Sequence, residues 1–410
     1  MALAMHGCSE PTTVATTQPQ QSSTVAPVPA KGPTSPTTPA QKNRAAWQAD
    51  LLAKSMQVAS SLETKAHARV KARLQKDVAS TAIEIGLIDV GIRDAEAIQD
   101  WRRGQALAIA AQALARKGDR ASAEACVAKA VQVAASTESS KQEQLNLEIA
   151  LAMAMLGNVE QARQYGARAP VEFTGRVESQ LVSQVSIDEV DRQCDAFDKA
   201  IASGSFDIVH SGVDGYFSVW TRMRTDAARG TRAEKAIRAA LPALPPALQI
   251  GVHLQLADAL DEAGQHQACM QELQTATTMV REGDFLPDML GPLARDVARA
   301  RARHGDASGA REMLGEMLKR YEQAPTAMVD IERADYLRAL AEALQDLGDH
   351  KDALHAWTLA LEAGSVNPNA RPRAEDLCLT MLSMVRSGAE PTEGMHARIT
   401  DIQGGLKAPW

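Results

Sequence analysis

Residues 334–364 read ADYLRALAEALQDLGDHKDALHAWTLALEAG, and this stretch decides the fold. Gly348 and Asp349 stand between two runs rich in Ala and Leu, both strong helix formers. A glycine can adopt the positive φ that ends a helix, and the residue after it can cap the next helix. The stretch therefore predicts two helices joined by a tight turn.

The same pattern recurs around Gly118, Gly157, Gly264 and Gly305, and a sixth copy surrounds Gly86. Seven residues before the five regular glycines stand Ala111, Ala150, Ala257, Ala298 and Ala341. Five residues after them stand Ala123, Ala162, Cys269, Ala310 and Ala353. Twelve residues after them stand Ala130, Ala169, Ala276, Met317 and Ala360, with one departure at Met317. Helices pack about 8–10 Å apart, and small side chains allow the near end of that range, so these positions predict close helix crossings.

This register resembles the tetratricopeptide repeat, in which a helix A, a turn often reading Gly-Asp and a helix B form one unit. The resemblance implies an all-α fold, a right-handed α-solenoid of six to eight antiparallel hairpins. It also implies that the helix A faces line a concave surface that holds a protein partner.

The register divides the chain into segments. Residues 44–170 and 251–410 carry the regular repeats, and the second of these segments ends in two capping helices, near 373–387 and 392–403. Residues 171–250 have room for two further hairpins but lose the register. Gly204 and Gly230 are candidate turns there, with Phe197 and Met223 at the positions that are small elsewhere.

The composition agrees with such an array. Aromatic residues make up 3% of the chain and hydrophobic residues 45%, so mainly Ala, Leu, Val and Met must form the core. No sustained alternation of apolar and polar residues indicates strands. The net charge of -7 argues against general nucleic-acid binding, which needs a basic surface.

Residues 1–43 form a segment of a different kind. A Ser-, Thr- and Pro-rich stretch from Ser9 to Asn43 predicts a disordered linker. Gly7-Cys8 after a short apolar run resembles the lipidation site of bacterial lipoproteins, within a start that looks like a truncated signal. Lipidation of Cys8 would place the chain in the cell envelope, anchored on the periplasmic side. The alternative is a cytoplasmic protein with an incidental cysteine.

Charged residues on predicted helix A faces are the candidate binding residues. Arg295, Arg299 and Arg303 recur every four residues and so share one helix face. The neighbouring helices carry acidic residues, among them Asp258 and Glu342. A basic stripe in the concave groove could bind an acidic peptide through bidentate arginine contacts. Ion pairs between helices are the competing interpretation, and we favour it.

No sequence motif predicts catalysis or a bound cofactor. The five cysteines form no CxxC pair, and no HExxH, GxSxG or phosphate-binding loop occurs. His266 and His350 both lie two residues after a turn glycine, a position that we assign to packing rather than to metal binding. We therefore predict a non-enzymatic scaffold without metal or cofactor that binds a protein or peptide. Self-association through exposed terminal repeats is the alternative.

Overall fold

A computed structural model describes residues 39–407, except for 63–64, 171–172, 183–185 and 224–225. The predicted linker up to residue 38 and Cys8 therefore lie outside the described residues. Within the described ranges the chain forms nineteen α-helices and no strand. The helices are α1 (Pro39–Ser60), α2 (Ala68–Glu84), α3 (Ile88–Glu96), α4 (Arg102–Arg116), α5 (Arg120–Ala135), α6 (Ser139–Met155), α7 (Val159–Gly166), α8 (Thr174–Val182), α9 (Ile187–Ala202), α10 (Phe206–Arg222), α11 (Ala227–Ala240), α12 (Pro246–Glu262), α13 (His266–Glu282), α14 (Pro287–Arg303), α15 (Ala307–Gln323), α16 (Asp330–Asp346), α17 (His350–Ser365), α18 (Ala370–Ser387) and α19 (Glu393–Gly404).

The predicted array of antiparallel helical hairpins is confirmed. The described residues from 43 onward form one compact unit, in which most even-numbered helices pack against the odd-numbered helix that follows. Helix α1 begins at Pro39, so the last five residues of the predicted linker are helical. No helix in the described part of the chain combines the length and apolar character that crossing a bilayer requires.

Turn glycines end the first helix of the regular hairpins, as the register predicts. Gly348 has a φ of 78°, and the amide of Asp349 donates to the carbonyl of Leu344 at 2.9 Å. This hydrogen bond spans five residues, as in the turn that commonly closes a helix at glycine. The five other predicted turn glycines also have positive φ: Gly86, Gly118, Gly157, Gly264 and Gly305. One further turn of this kind, at Gly388, joins α18 to α19 and was missed.

The predicted small positions lie where helices cross. The alanines seven residues before the five regular turn glycines and the residues five after them are at most 1% exposed. Twelve residues after the glycine, Ala130, Ala276 and Ala360 are fully buried. The prediction fails at Ala169, because α7 ends at Gly166 and leaves this residue beyond the helix.

The middle of the chain departs from the pairing of the other hairpins. Helix α8 is short, and α9 packs mainly against α10, to which Gly204 joins it with a φ of 73°. Gly204 is thus a turn, as expected. The prediction of a turn at Gly230 was wrong, since this residue lies inside α11. Pro246 occupies the first turn of α12, where its missing amide proton costs nothing.

The even-numbered helices contact one another in sequence from α2 to α18, and α18 in turn contacts α2. The ends of the described array therefore meet, and its inner layer is a closed ring of nine helices. On the closing contact Arg73 pairs with Glu375, and the Arg386 guanidinium donates to the Thr81 hydroxyl at 3.2 Å. Residue numbers rise together along both helices, so α2 and α18 are parallel.

Closure also unites the hydrophobic core across the two ends of the chain. Leu51 and Leu52 on α1 belong to the same buried cluster as Met381 and Val385 on α18. Two further clusters fill the rest of the ring, one along α2–α8 and one along α9–α14. The helices near 373–387 and 392–403 form as predicted, but α18 packs against the start of the array instead of facing solvent as a cap.

Candidate binding site on the inner face

The inner face of the ring carries the candidate site, because the helices that line two of its cavities are all even-numbered. One cavity, of about 400 Å³, lies among α2, α14, α16 and α18. The other, of about 770 Å³, lies among α4, α6, α8, α10 and α12. The closing contact of α2 with α18 brings the lining of the smaller cavity together, whereas five consecutive helices of the inner layer surround the larger one.

The predicted arginine stripe lies along α14, where every member is paired. Arg295 is 3.0 Å from Glu342, and Arg299 is 2.6 Å from Asp346, both on α16. Arg303 pairs with α12, the other inner-layer neighbour of α14, and lies 3.0 Å from Asp258. The structure thus brings all five predicted binding residues together as ion pairs between neighbouring helices. These are the ion pairs that the competing interpretation expects, and a binding role for the five residues stays a prediction.

Glu342 is the centre of this network and is buried, with 7% of its side chain exposed. Besides Arg295, it lies 3.4 Å from Arg386 on α18 and 3.9 Å from Arg299. Burial alone would raise the pKa of Glu342, but Arg386 and Arg295 outweigh it and hold this pKa below its ordinary value. A carboxylate held by three guanidinium groups fixes α14, α16 and α18 relative to one another.

The larger cavity has an apolar floor and a polar wall. Leu151, Met155 and Phe217 form the floor, and Phe217 stacks on Trp220 with ring centroids 6.3 Å apart. Side-chain amides and guanidinium groups form the wall: Gln112, Arg116, Arg176, Gln180, Arg222 and Gln255. Such a mixture of apolar surface and a few convergent polar groups is typical of ligand sites.

Positive charge dominates this larger cavity although the chain as a whole is acidic. Three arginines face one carboxylate, that of Asp214. Burial raises the pKa of Asp214, which lowers the fraction of this single acid that is charged at a given pH. Arg116 and Arg176 are exposed, and within the described residues no carboxylate pairs with Arg116. A concave surface lined by one sign of charge concentrates ligands of the opposite sign.

Sequence reasoning missed this cavity because its lining is scattered over five helices. Arg116 and Met155 each lie two residues before a turn glycine, in the last turn of their helices. Because the last turns of the inner helices lie at one end of the inner layer, this position was the sequence signal that could have indicated the cavity. The equivalent residues of other repeats lie at the same end of their helices, and only the folded array shows which of them surround one cavity.

The comparisons with known proteins are sparse. No protein-family model matches the chain, and no curated protein sequence is significantly similar to it. Among solved structures, it is similar to one described as a "Circular tandem repeat protein with novel repeat topology and enhanced subunit contact surfaces". The two share 15% identity over 90% of this chain and 96% of that chain, with a TM-score of 0.24. This likeness is too weak to bear on the fold, and the interhelix contacts alone show that the ring closes.

Proposed function

We propose that this chain is a non-enzymatic scaffold that binds an acidic segment of a protein partner in the larger inner-face cavity. The observation that carries the proposal is the excess of arginine in a cavity of about 770 Å³. The tetratricopeptide-like register of the hairpins supports it, since that family binds partners on its concave surface.

The chemistry of the wall favours a peptide that bears carboxylates. Guanidinium groups donate paired hydrogen bonds to carboxylate oxygens, and the exposed side-chain amide of Gln180 can bond a peptide backbone. The apolar floor suits one or two aliphatic side chains between the acids. Nucleic acid fits less well, because the net charge of -7 opposes binding along a phosphate backbone.

The absence of catalytic motifs and of cofactor-binding motifs from the sequence supports a non-enzymatic role. We further propose that Cys8, if lipidated, anchors the chain in the cell envelope; otherwise the protein is cytoplasmic. Metabolic incorporation of an alkyne-labelled fatty acid tests whether Cys8 is lipidated. Label in the wild type that disappears in Cys8→Ser supports the anchor, and an unlabelled wild type contradicts it.

Binding is tested with a fluorescein-labelled peptide of alternating Glu and Ala at low salt, compared with its Lys–Ala counterpart. We expect the full-length chain to bind the acidic peptide and not the Lys–Ala peptide. The double variant Arg116→Gln with Arg176→Gln should lose about tenfold or more in affinity, since each charge-assisted bond contributes about 1.5–3 kcal/mol.

Arg120→Gln is the matched control. Arg120 lies four residues from Arg116, but it is on α5 outside the cavity and pairs with Glu124 at 2.7 Å. This variant should bind like the wild type. Equal binding of both peptides, or equal weakening by Arg120→Gln, would contradict the proposal.

Self-association is the second candidate, and exposed apolar residues favour it. Leu286, Val329 and Ile331 are each more than half exposed and lie at the N-terminal ends of α14 and α16. These helices are parallel neighbours, so the three side chains belong to one rim of the ring. Sedimentation over a range of concentrations tests this candidate: a mass that rises with concentration and falls back in Ile331→Asp supports it, and a constant mass opposes it.

A further inference from the structure

Three kinds of metal-ligating side chain meet where the hairpin α12–α13 contacts the end of α14. Asp261 lies in the last turn of α12, Cys269 in the first turns of α13, and His304 directly follows α14. One ligand atom from each residue lies within 4.8 Å of the other two. A thiol, an imidazole and a carboxylate at this separation can contact one common ion.

His304 supplies a second and independent observation. Its side chain is only 8% exposed, and its Nε2 lies 2.8 Å from Oδ1 of Asp258. Its Nδ1 is buried and lies 3.0 Å from Oδ2 of Asp261, yet it makes no hydrogen bond of acceptable geometry. When Nε2 carries the proton that Asp258 accepts, Nδ1 presents a lone pair to a carboxylate oxygen. A cation beside both atoms would satisfy them.

The other hairpins show that packing alone does not demand these residues. Where this hairpin has Cys269, five residues after the turn glycine, the other four regular hairpins have Ala123, Ala162, Ala310 and Ala353. Where α14 is followed by His304, the matching residues are Lys117, Leu156, Ala263 and Leu347. Where α12 has Asp261, they are Ala115, Ala154, Ala302 and Gln345. The three ligand types thus coincide at one junction of the ring.

We propose that Asp261, Cys269 and His304 bind a divalent metal ion of the zinc class. Sulfur, imidazole nitrogen and carboxylate oxygen are the ligands that zinc prefers, and four-coordinate sites are the rule. His266 is the fourth ligand. The sequence placed it in packing, but its side chain is 77% exposed, and its Nδ1 contacts the Asp261 carboxylate. Cys269 binds as the thiolate, and its proton passes to solvent.

Asp258 holds His304 in place without touching the ion. Its carboxylate accepts from Nε2 of His304, and Arg303 lies 3.0 Å from the same group. A carboxylate behind a metal-bound imidazole fixes both its orientation and its tautomer. The ion would cross-link the α12–α13 turn to the end of α14 and so stabilise the contact between these two neighbouring hairpins.

The test uses the full-length chain, stripped of metal by a chelator and titrated with Co²⁺. We expect about one Co²⁺ per chain, an absorption band from thiolate-to-cobalt charge transfer, loss of that band when Zn²⁺ is added, and a higher melting temperature with either ion. Cys269→Ala introduces the residue that four other hairpins carry, so it should fold. It should lose the charge-transfer band and bind at least about tenfold more weakly.

Cys126→Ala is the matched control, because Cys126 is a buried cysteine on α5 outside the cluster. It should keep both the band and the affinity. Asp261→Asn gives a second readout, a weakened affinity with the thiolate band retained at saturating Co²⁺. A wild type without the band, or a band that persists in Cys269→Ala, would overturn the proposal.

Discussion

The side-chain amide of Gln48 on α1 donates a hydrogen bond of 2.9 Å to the backbone carbonyl of Val385 on α18, across 337 residues of sequence. Close by, the thiol of Cys378 donates to the carbonyl of Ser55 at 3.7 Å. In an open repeat array the terminal units have one neighbour each and fray first. Here the first and last hairpins contact each other, so every inner helix has a neighbour on both sides.

Removal of the charge on Glu342 should destabilise the ring. Glu342→Gln removes the one carboxylate that Arg295, Arg299 and Arg386 share. Breaking a buried pair costs about 3–5 kcal/mol, and we expect about 2–3 kcal/mol here because the three guanidinium groups are a quarter to a third exposed. The measurement is the free energy of unfolding in urea at neutral pH.

The matched control for this variant is Asp346→Asn. Asp346 pairs with Arg299 at 2.6 Å but is 40% exposed, so its loss should cost less than about 1 kcal/mol. If both variants were equally destabilised, the burial of Glu342 would not be what gives the network its strength.

Asp376 should behave in the opposite way from Glu342, because among the described residues a single arginine, Arg338 at 3.2 Å, pairs with its buried carboxyl group. Burial raises the pKa of Asp376 to about 6, against the attraction of Arg338. The folded chain therefore binds this proton more tightly than the unfolded chain, and stability falls as pH rises through about 6. Asp376→Asn should be more stable than the wild type by about 1–2 kcal/mol at pH ~7.5.

The pH dependence supplies the check on this prediction. Toward pH ~5 the wild-type carboxyl becomes protonated in the folded state, and the advantage of Asp376→Asn should shrink. Urea unfolding of both proteins at the two pH values measures the difference. A variant that is less stable than the wild type at the higher pH would mean that Arg338 holds the carboxylate more strongly than burial opposes it.

Two exposed glycines should respond to alanine with opposite signs. Gly348 has a φ of 78°, and a methyl group added there would meet open space, so Gly348→Ala costs only the backbone strain of that conformation, about 1–2 kcal/mol. Gly315 lies inside α15, also with open space, and Gly315→Ala should stabilise by about 0.5–1 kcal/mol. Thermal unfolding compares them, and a shared sign would contradict the assignment of Gly348 as a turn residue.

The sequence predicts what is local and repeated. A glycine that ends a helix and an alanine at a helix crossing act within one hairpin. The repeat register therefore predicted both the turn at Gly118 and the buried small position at Ala123. Closure is not local, and no spacing indicates that Ser55 and Cys378 touch. The arginine stripe was visible from its four-residue period, but its pairing depends on which helices lie beside α14. Arg116 and Arg176 were missed because they lie on different helices, α4 and α8, which only the folded array places around one cavity.

A zero-length cross-link across the closing contact tests the ring most directly. Arg73 on α2 pairs with Glu375 on α18, 302 residues away in sequence. In Arg73→Lys a carbodiimide should join the new amine to Glu375, and peptides linking positions 73 and 375 should appear in the monomer fraction. Arg120→Lys, whose partner Glu124 lies one turn along the same helix, serves as the control for reactivity. A closed ring predicts both cross-links, whereas the local cross-link alone, in a folded Arg73→Lys monomer, would contradict it.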